Sequence, residues 1–226
     1  MAVDHPPKRF GDLSLGAFID RLASSDPVPG GGSASAVAGS VAAALVSMVT
    51  ALSTGRPRYA AHEATYTWTA GEGRRLSVHL LTLADEDARA FGAYAAALKM
   101  PRGTDAERET RTVALRAAAR VASEVPLTCV EACRDVVAAA EALAGRSNVN
   151  AASDVLVAAL LGEAAAAGAA ANVRINLPSV GDDDLVVELT QRVDELVHDV
   201  ARLAARAREV VASGEARDPL QEDAGS

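Results

Sequence analysis

Aromatic side chains are almost missing from this chain: one Trp, three Tyr and three Phe among 226 residues. Without large rings, a core must be filled by small and aliphatic side chains, and alanine dominates the apolar content. Alternating β-branched runs are few and 3.6-periodic segments are long. That favours an all-α fold, a single-domain bundle of long helices around small-residue-rich central helices. Cysteine is nearly absent too. Cys129 and Cys133 lie four apart in a helical pattern with no second pair. That is neither a zinc nor a redox spacing, and it reads as two core thiols in a reducing cytosol. The four histidines (His5, His62, His79, His198) are scattered with no HExxH, so no metal is expected. The opening MAVDHPPKRFGD has no hydrophobic signal region, so a cytoplasmic location is expected. No Lys/Arg run exists and the net charge is −8, which argues against a nucleic-acid partner.

What is present is a long uncharged stretch from Pro29 to Ala51, PGGGSASAVAGSVAAALVSMVTA. Its length would span a bilayer. Its few large apolar residues and lack of a flanking aromatic belt point instead to a buried helix, with no membrane partner. Gly30, Gly31 and Gly32 let a ligand or another helix approach closely. Ser33 or Ser35 can cap the helix, whose first N–H groups and dipole suit an anion. The plainer reading of the glycines is a turn.

Residues 1–13 read as a flexible arm, 14–214 as the folded domain and 215–226 as a disordered tail. Ser14 can cap a short helix whose Leu15, Phe18, Ile19 and Leu22 share a face. Residues 58–73 are ambiguous, spoiled for helix by Gly71 and Gly73. From Arg74 to Leu98, the residues Leu76, Leu80, Leu83, Phe91, Tyr94 and Leu98 form one stripe, and Asp87 occupies it where a leucine is expected. Asp85 points to the opposite face. A carboxylate on a core-facing stripe must be paired, protonated or aimed at a cavity, so Asp87 is either a functional group or a structural ion pair or cap. A helix follows from about 105 to 144, with Pro126 as a kink or break. In the next helix Asp154, Val157, Leu161, Ala165, Gly168, Asn172 and Asn176 share a stripe, either a polar-lined cleft or asparagines making cap contacts. Arg174, off the stripe, is surface or anion clamp. The last helix, about 182–213, places Leu185, Leu189, Val193, Leu196, Val200, Leu203 and Val210 in register before Gly214.

Three motifs occur in order: PVPGGGSASA (28–36), LADEDARAF (83–91) followed by LKMP (98–101), and SDVLVAALLGEAAAAGAAANVRINL (153–177). Together, and with EVPLT (124–128), they resemble the cyclodeaminase domain of formiminotransferase-cyclodeaminase and its free-standing bacterial relatives, which include methenyltetrahydrofolate cyclohydrolases. The resemblance covers residues 14–213. It implies an all-α homodimer and a tetrahydrofolate derivative as substrate, with no cofactor beyond the folate and no metal. It also implies Asp87 as catalytic acid/base, Gly30, Gly31, Gly32 and Ser33 as the loop beside the folate, and Asn172 and Asn176 as the opposite polar wall. Asp154 joins that substrate-binding set from its place on the stripe. Arg174 or Arg56 would offset the anionic folate tail, although TGRPRYAAHEATYTW departs from the family pattern around Arg56 and Arg58. The transferase domain is absent from this sequence. The rival expectation is a catalytically inactive folate-binding or scaffolding helical dimer.

Overall fold

The structure, a computed structural model, describes residues 9–220; the expectations for residues 1–8 and 221–226 lie outside the described residues. Within that range there are six α-helices and no strand: α1 (Leu15–Leu22), α2 (Gly31–Ser53), α3 (Glu63–Leu98), α4 (Asp105–Leu143), α5 (Ala152–Asn176) and α6 (Asp183–Ser213). Helices α2, α3, α4 and α5 form a ring in which each packs on the next and α5 closes against α2. Helix α6 lies over α4 and α5. Short 3-10 turns at Pro57–His62, Val149–Ala151 and Leu177–Ser179 join or finish the helices.

Local chemistry sets the helix ends. The Ser14 hydroxyl accepts from Ala17 N–H at 3.2 Å to start α1. Thr104 and Glu107 form a reciprocal capping box on α4, satisfying two donors the helix cannot. Asp182 caps α6, and Gly214 ends it at φ 68°, a left-handed conformation costly for other residues. The predicted stripe of α6 is buried from Leu189 through Leu203.

The core is built from Ala, Val, Leu and the two cysteines, with Tyr66 the largest fully buried side chain. Small residues let the helices approach closely. A Cβ on Gly39 would lie 2.8 Å from Cys133 Sγ, and one on Gly162 would lie 2.6 Å from Val137 Cγ2. Gly73, expected to spoil a helix, sits inside the unbroken α3. A Cβ there would meet Ser47 Oγ at 2.3 Å and Ala43 O at 3.0 Å, so tertiary packing outweighs helix propensity.

Helix α1 forms with the shared face and the Ser14 cap expected, and three details go beyond or against the sequence reading. The apolar face of α1 buries only Phe18; Leu15, Ile19 and Leu22 are exposed. Residues 9–13 are docked, not loose: Phe10 N–H donates to Asp85 Oδ1 at 2.8 Å, and the Phe10 and Phe18 rings meet edge to face at 5.7 Å. Residues 215–220 are likewise held in part, through Arg217 N–H to Gly145 O at 2.9 Å and an Arg217–Glu141 ion pair at 3.0 Å.

Pro126 does not break α4, which runs through it. Proline has no N–H, so the carbonyl four residues back, that of Ala122, loses its helical donor. The Asn176 side-chain amide of α5 donates to Ala122 O at 2.7 Å and takes its place. Helix α4 is therefore repaired in trans at the point where the sequence weakens it. Asn176→Ala should cost about 1–3 kcal/mol by stranding that carbonyl. The same substitution in a Pro126→Ala background should cost much less, because the restored N–H satisfies Ala122. Urea unfolding of the four proteins in this cycle measures the coupling; additive losses would refute the assignment.

Candidate active site

The first turn of α2 packs against the middle of α3 and the last turns of α5. Gly30 is the N-cap residue, extended at φ −119° and ψ −159°, and Gly31 and Gly32 already belong to the helix. Neither Ser33 nor Ser35 caps it. Ser33 is the third helical residue, and the Ser35 hydroxyl donates back to Gly31 O at 2.8 Å. With no side chain of its own at the cap, α2 leaves its N-terminal N–H groups to be met from outside.

Asp87 of α3 meets them. Its carboxylate lies so close to Gly32 that an added Cβ would fall 2.1 Å from Oδ1 and 2.5 Å from Cγ. Only glycine fits there. The buried Ser33 hydroxyl sits 2.9 Å from Asp87 Oδ2 and 3.0 Å from Ala84 O. Among the described residues Asp87 has no ion-pair partner. Burial raises its pKa above the ordinary carboxylate value, opposed by hydrogen bonds from the Ser33 side chain and backbone. The predicted stripe explains the position: Leu76, Leu80 and Leu83 are buried, Asp87 is half-buried, and Phe91 and Leu98 beyond it are exposed. Asp87 thus marks where the α3 stripe leaves the core. Asp85, on the other face, holds Phe10.

Asn172 joins this group. A Cβ on Gly31 would sit 3.7 Å from Asn172 Nδ2, an ordinary contact, and that amide donates to Gly168 O at 2.9 Å. Asn176 lies one turn further along α5, with its amide N–H committed to Ala122. Two predicted ligands fall elsewhere. Asp154 is in the first turn of α5, 18 residues from Asn172 and therefore roughly 27 Å away along the helix. A shared stripe fixes the face and not the depth. Arg174 points away from the first turn of α2 and pairs with Asp194 of α6 at 2.7 Å. Arg56 and Arg58 follow the C-terminal end of α2, opposite the end that faces Asp87. The sequence reading missed the Ala84 carbonyl, which has no side-chain signal. No cluster of three or more His, Cys, Asp or Glu able to hold a metal occurs among the described residues.

The arrangement defines an all-helical protein with an uncompensated, partly dehydrated carboxylate at a glycine-started helix N-terminus. That is a group able to take up and return a proton. Comparisons with known proteins give this class a family. A family model described as formiminotransferase-cyclodeaminase matches residues 14–195. A methenyltetrahydrofolate cyclohydrolase of Methylorubrum extorquens is 36% identical over 203 residues, 90% of this chain and 98% of that protein. The formimidoyltransferase-cyclodeaminase of Rattus norvegicus is 35% identical over 88% of this chain, which spans only 37% of the rat protein. A formiminotetrahydrofolate cyclodeaminase crystal structure from Thermotoga maritima superposes with a TM-score of 0.82 at 28% identity, covering 90% of this chain and 98% of that one. The chain belongs to the formiminotransferase-cyclodeaminase family, whose named members here are folate one-carbon enzymes.

The two glycines should separate cleanly. Gly32→Ala should displace the Asp87 carboxylate and lower any Asp87-dependent activity by about 100-fold or more, as loss of a positioned acid/base group does. Gly31→Ala meets only an ordinary contact and should fold normally. Equal activity in both variants, with circular dichroism unchanged, would refute the placement.

Proposed function

We propose that this chain is a folate one-carbon enzyme acting on the carbon that bridges N5 and N10 of tetrahydrofolate. It serves as a methenyltetrahydrofolate cyclohydrolase or a formiminotetrahydrofolate cyclodeaminase, with Asp87 as general acid/base. The observation that carries the reading is the Asp87 carboxylate, half-buried and unpaired by any cation among the described residues, against the first turn of α2. The full-length likeness to a free-standing cyclohydrolase and a free-standing cyclodeaminase supports both reactions.

Both reactions need one proton moved and returned. In hydrolysis, water adds to the methenyl carbon and gives a proton to Asp87. That proton passes to N5 as the C–N5 bond breaks, while the hydroxyl proton leaves to solvent and a formyl group remains on N10. In cyclodeamination, N10 attacks the carbon of the protonated formimino group, and the N10 proton travels through Asp87 to the departing amino nitrogen, which leaves as ammonia while the methenyl bridge keeps the positive charge. A carboxylate with a raised pKa suits either role near neutral pH. First-turn amides of α2 and the Asn172 amide are the donors this reading assigns to the tetrahedral centre, since they lie beside Asp87.

The test is to supply 5,10-methenyl- and 5-formimino-tetrahydrofolate separately and follow methenyl absorbance and ammonia. Asp87→Asn should lower turnover by about 10²–10⁴-fold. Folate binding without turnover in the unmutated protein would favour an inactive binding dimer. Stability supplies an independent check. A carboxyl whose folded pKa is raised contributes stability below its unfolded pKa, and that contribution is lost as pH rises through the folded pKa. Asp87→Asn should therefore melt higher than the unmutated protein near pH 8, the gap closing towards about pH 4. No difference at any pH would contradict the desolvated carboxylate.

A second copy of the chain completes this reading. The outward face of α2 (Val37, Val41, Ala44, Leu45, Met48, Leu52) adjoins that of α5 (Val157, Leu160, Ala164, Ala167, Ala171), and no charge interrupts either. The spans 31–53 and 149–179 are long and apolar enough to cross a membrane, yet about half of each is buried inside the protein. Two helices about 10 Å apart and about 33 Å long present on the order of 650 Å², near the roughly 800 Å² per partner of a stable interface. Val41→Glu should convert a dimer to monomer in sedimentation velocity. A monomeric unmutated protein, or partitioning into lipid vesicles, would refute the dimer.

A further inference from the structure

At the far end of the bundle from Asp87 lies a cavity of about 180 Å³. The 23 residues of α2 separate the two places by roughly 33 Å, so this cavity is independent of the folate reading.

Its walls come from four parts of the chain. The 3-10 turn after α2 contributes Arg58, Tyr59 and His62, the α4–α5 junction Ser147 and Val149, α5 Ala152 and Val155, and the end of α6 with the following strand of chain Val210, Val211 and Glu215. The last of these segments is tied down by Arg217 N–H to Gly145 O at 2.9 Å and by Arg146 Nε to Asp218 O at 2.6 Å. The cavity is therefore a built feature and not a gap beside a loose tail.

Three of its polar groups are uncommitted. His62 Nδ1 is buried with no hydrogen-bond partner, a cost of folding that a ligand can relieve. Burial, and then Arg146, lower the pKa of the imidazole, which favours the neutral ring with one donor and one acceptor. Among the described residues neither Arg58 nor Glu215 belongs to an ion pair, and the Arg58 guanidinium rests 5.6 Å from the centre of the Tyr59 ring. Tyr59 accepts from Val149 N–H at 3.1 Å, leaving its own proton to donate. An exposed cation and an exposed anion, neither in an ion pair, beside a valine-lined wall match a ligand carrying both charges and an apolar body.

We propose that this cavity binds an aliphatic α-amino acid about the size of leucine, its carboxylate against Arg58, its ammonium against Glu215 and its side chain against Val155, Val210 and Val211. The site is separate from the chemistry at Asp87, and the test needs no folate.

Titration calorimetry of the full chain with L-leucine should give saturable binding, and amide NMR shifts should localise to residues 58–62, 145–155 and 210–216. 4-Methylpentanoate, which lacks the ammonium, and isoamylamine, which lacks the carboxylate, should each bind at least about tenfold more weakly. Arg58→Ala and Glu215→Gln, both at exposed positions, should lose about tenfold with unchanged circular dichroism. Ala152→Leu should block binding by filling the cavity. No heat and no shifts with millimolar L-leucine would overturn the proposal. So would 4-methylpentanoate binding as well as leucine, or affinity that survives both charge substitutions.

Discussion

Close approach of helix backbones is the constraint on which this protein depends. A core almost without rings lets its helices draw together until, at the closest crossings, only glycine fits. Gly39 against Cys133, Gly73 against Ser47 and Gly168 against Ser35 each sit where a Cβ would fall under 3 Å from its neighbour. Dispersion contacts summed along such seams replace the large payload of buried aromatics. The same closeness puts the Asp87 carboxylate on the Cα of Gly32. The candidate site is an outcome of the packing rule that builds the core.

That site joins two roles the sequence left as alternatives. Asp87 is a cap contact, because α2 has no capping side chain of its own and the carboxylate meets its first turn. It is also a carboxyl lifted above its ordinary pKa by burial. The helix N-terminus favours the charge and the dehydration disfavours it. Of these opposed effects, dehydration is the larger.

Much of the architecture was legible in the sequence because helical periodicity survives in the finished structure. The leucine stripe of α3, the register of α6 and the extent of α5 to Asn176 all appear as the spacing implied. The separation of Asp85 from Asp87 was legible for the same reason. What periodicity cannot carry is depth along a helix or compensation from another one. Asp154 shares a face with Asn172 yet lies at the opposite end of α5. Arg174 found an acidic partner on α6, a contact between distant parts of the chain. Pro126 reads locally as a break, and only the folded arrangement shows the asparagine amide that substitutes for its missing N–H. The exposed face of α1 was invisible for a simpler reason, since amphipathicity records what a helix can bury and not what is there to cover it.

The Ser33 hydroxyl carries one proton and stands within hydrogen-bonding distance of two acceptors, the Asp87 carboxylate and the Ala84 carbonyl. When Asp87 is ionised the hydroxyl turns to it; when Asp87 is protonated the hydroxyl can turn back to the carbonyl and accept from the acid. Both charge states are solvated by rotation about one side-chain bond, with no heavy atom displaced. At the Ser33–Asp87 pair, a change in the charge of the carboxyl group can therefore be met by a single hydroxyl rotor.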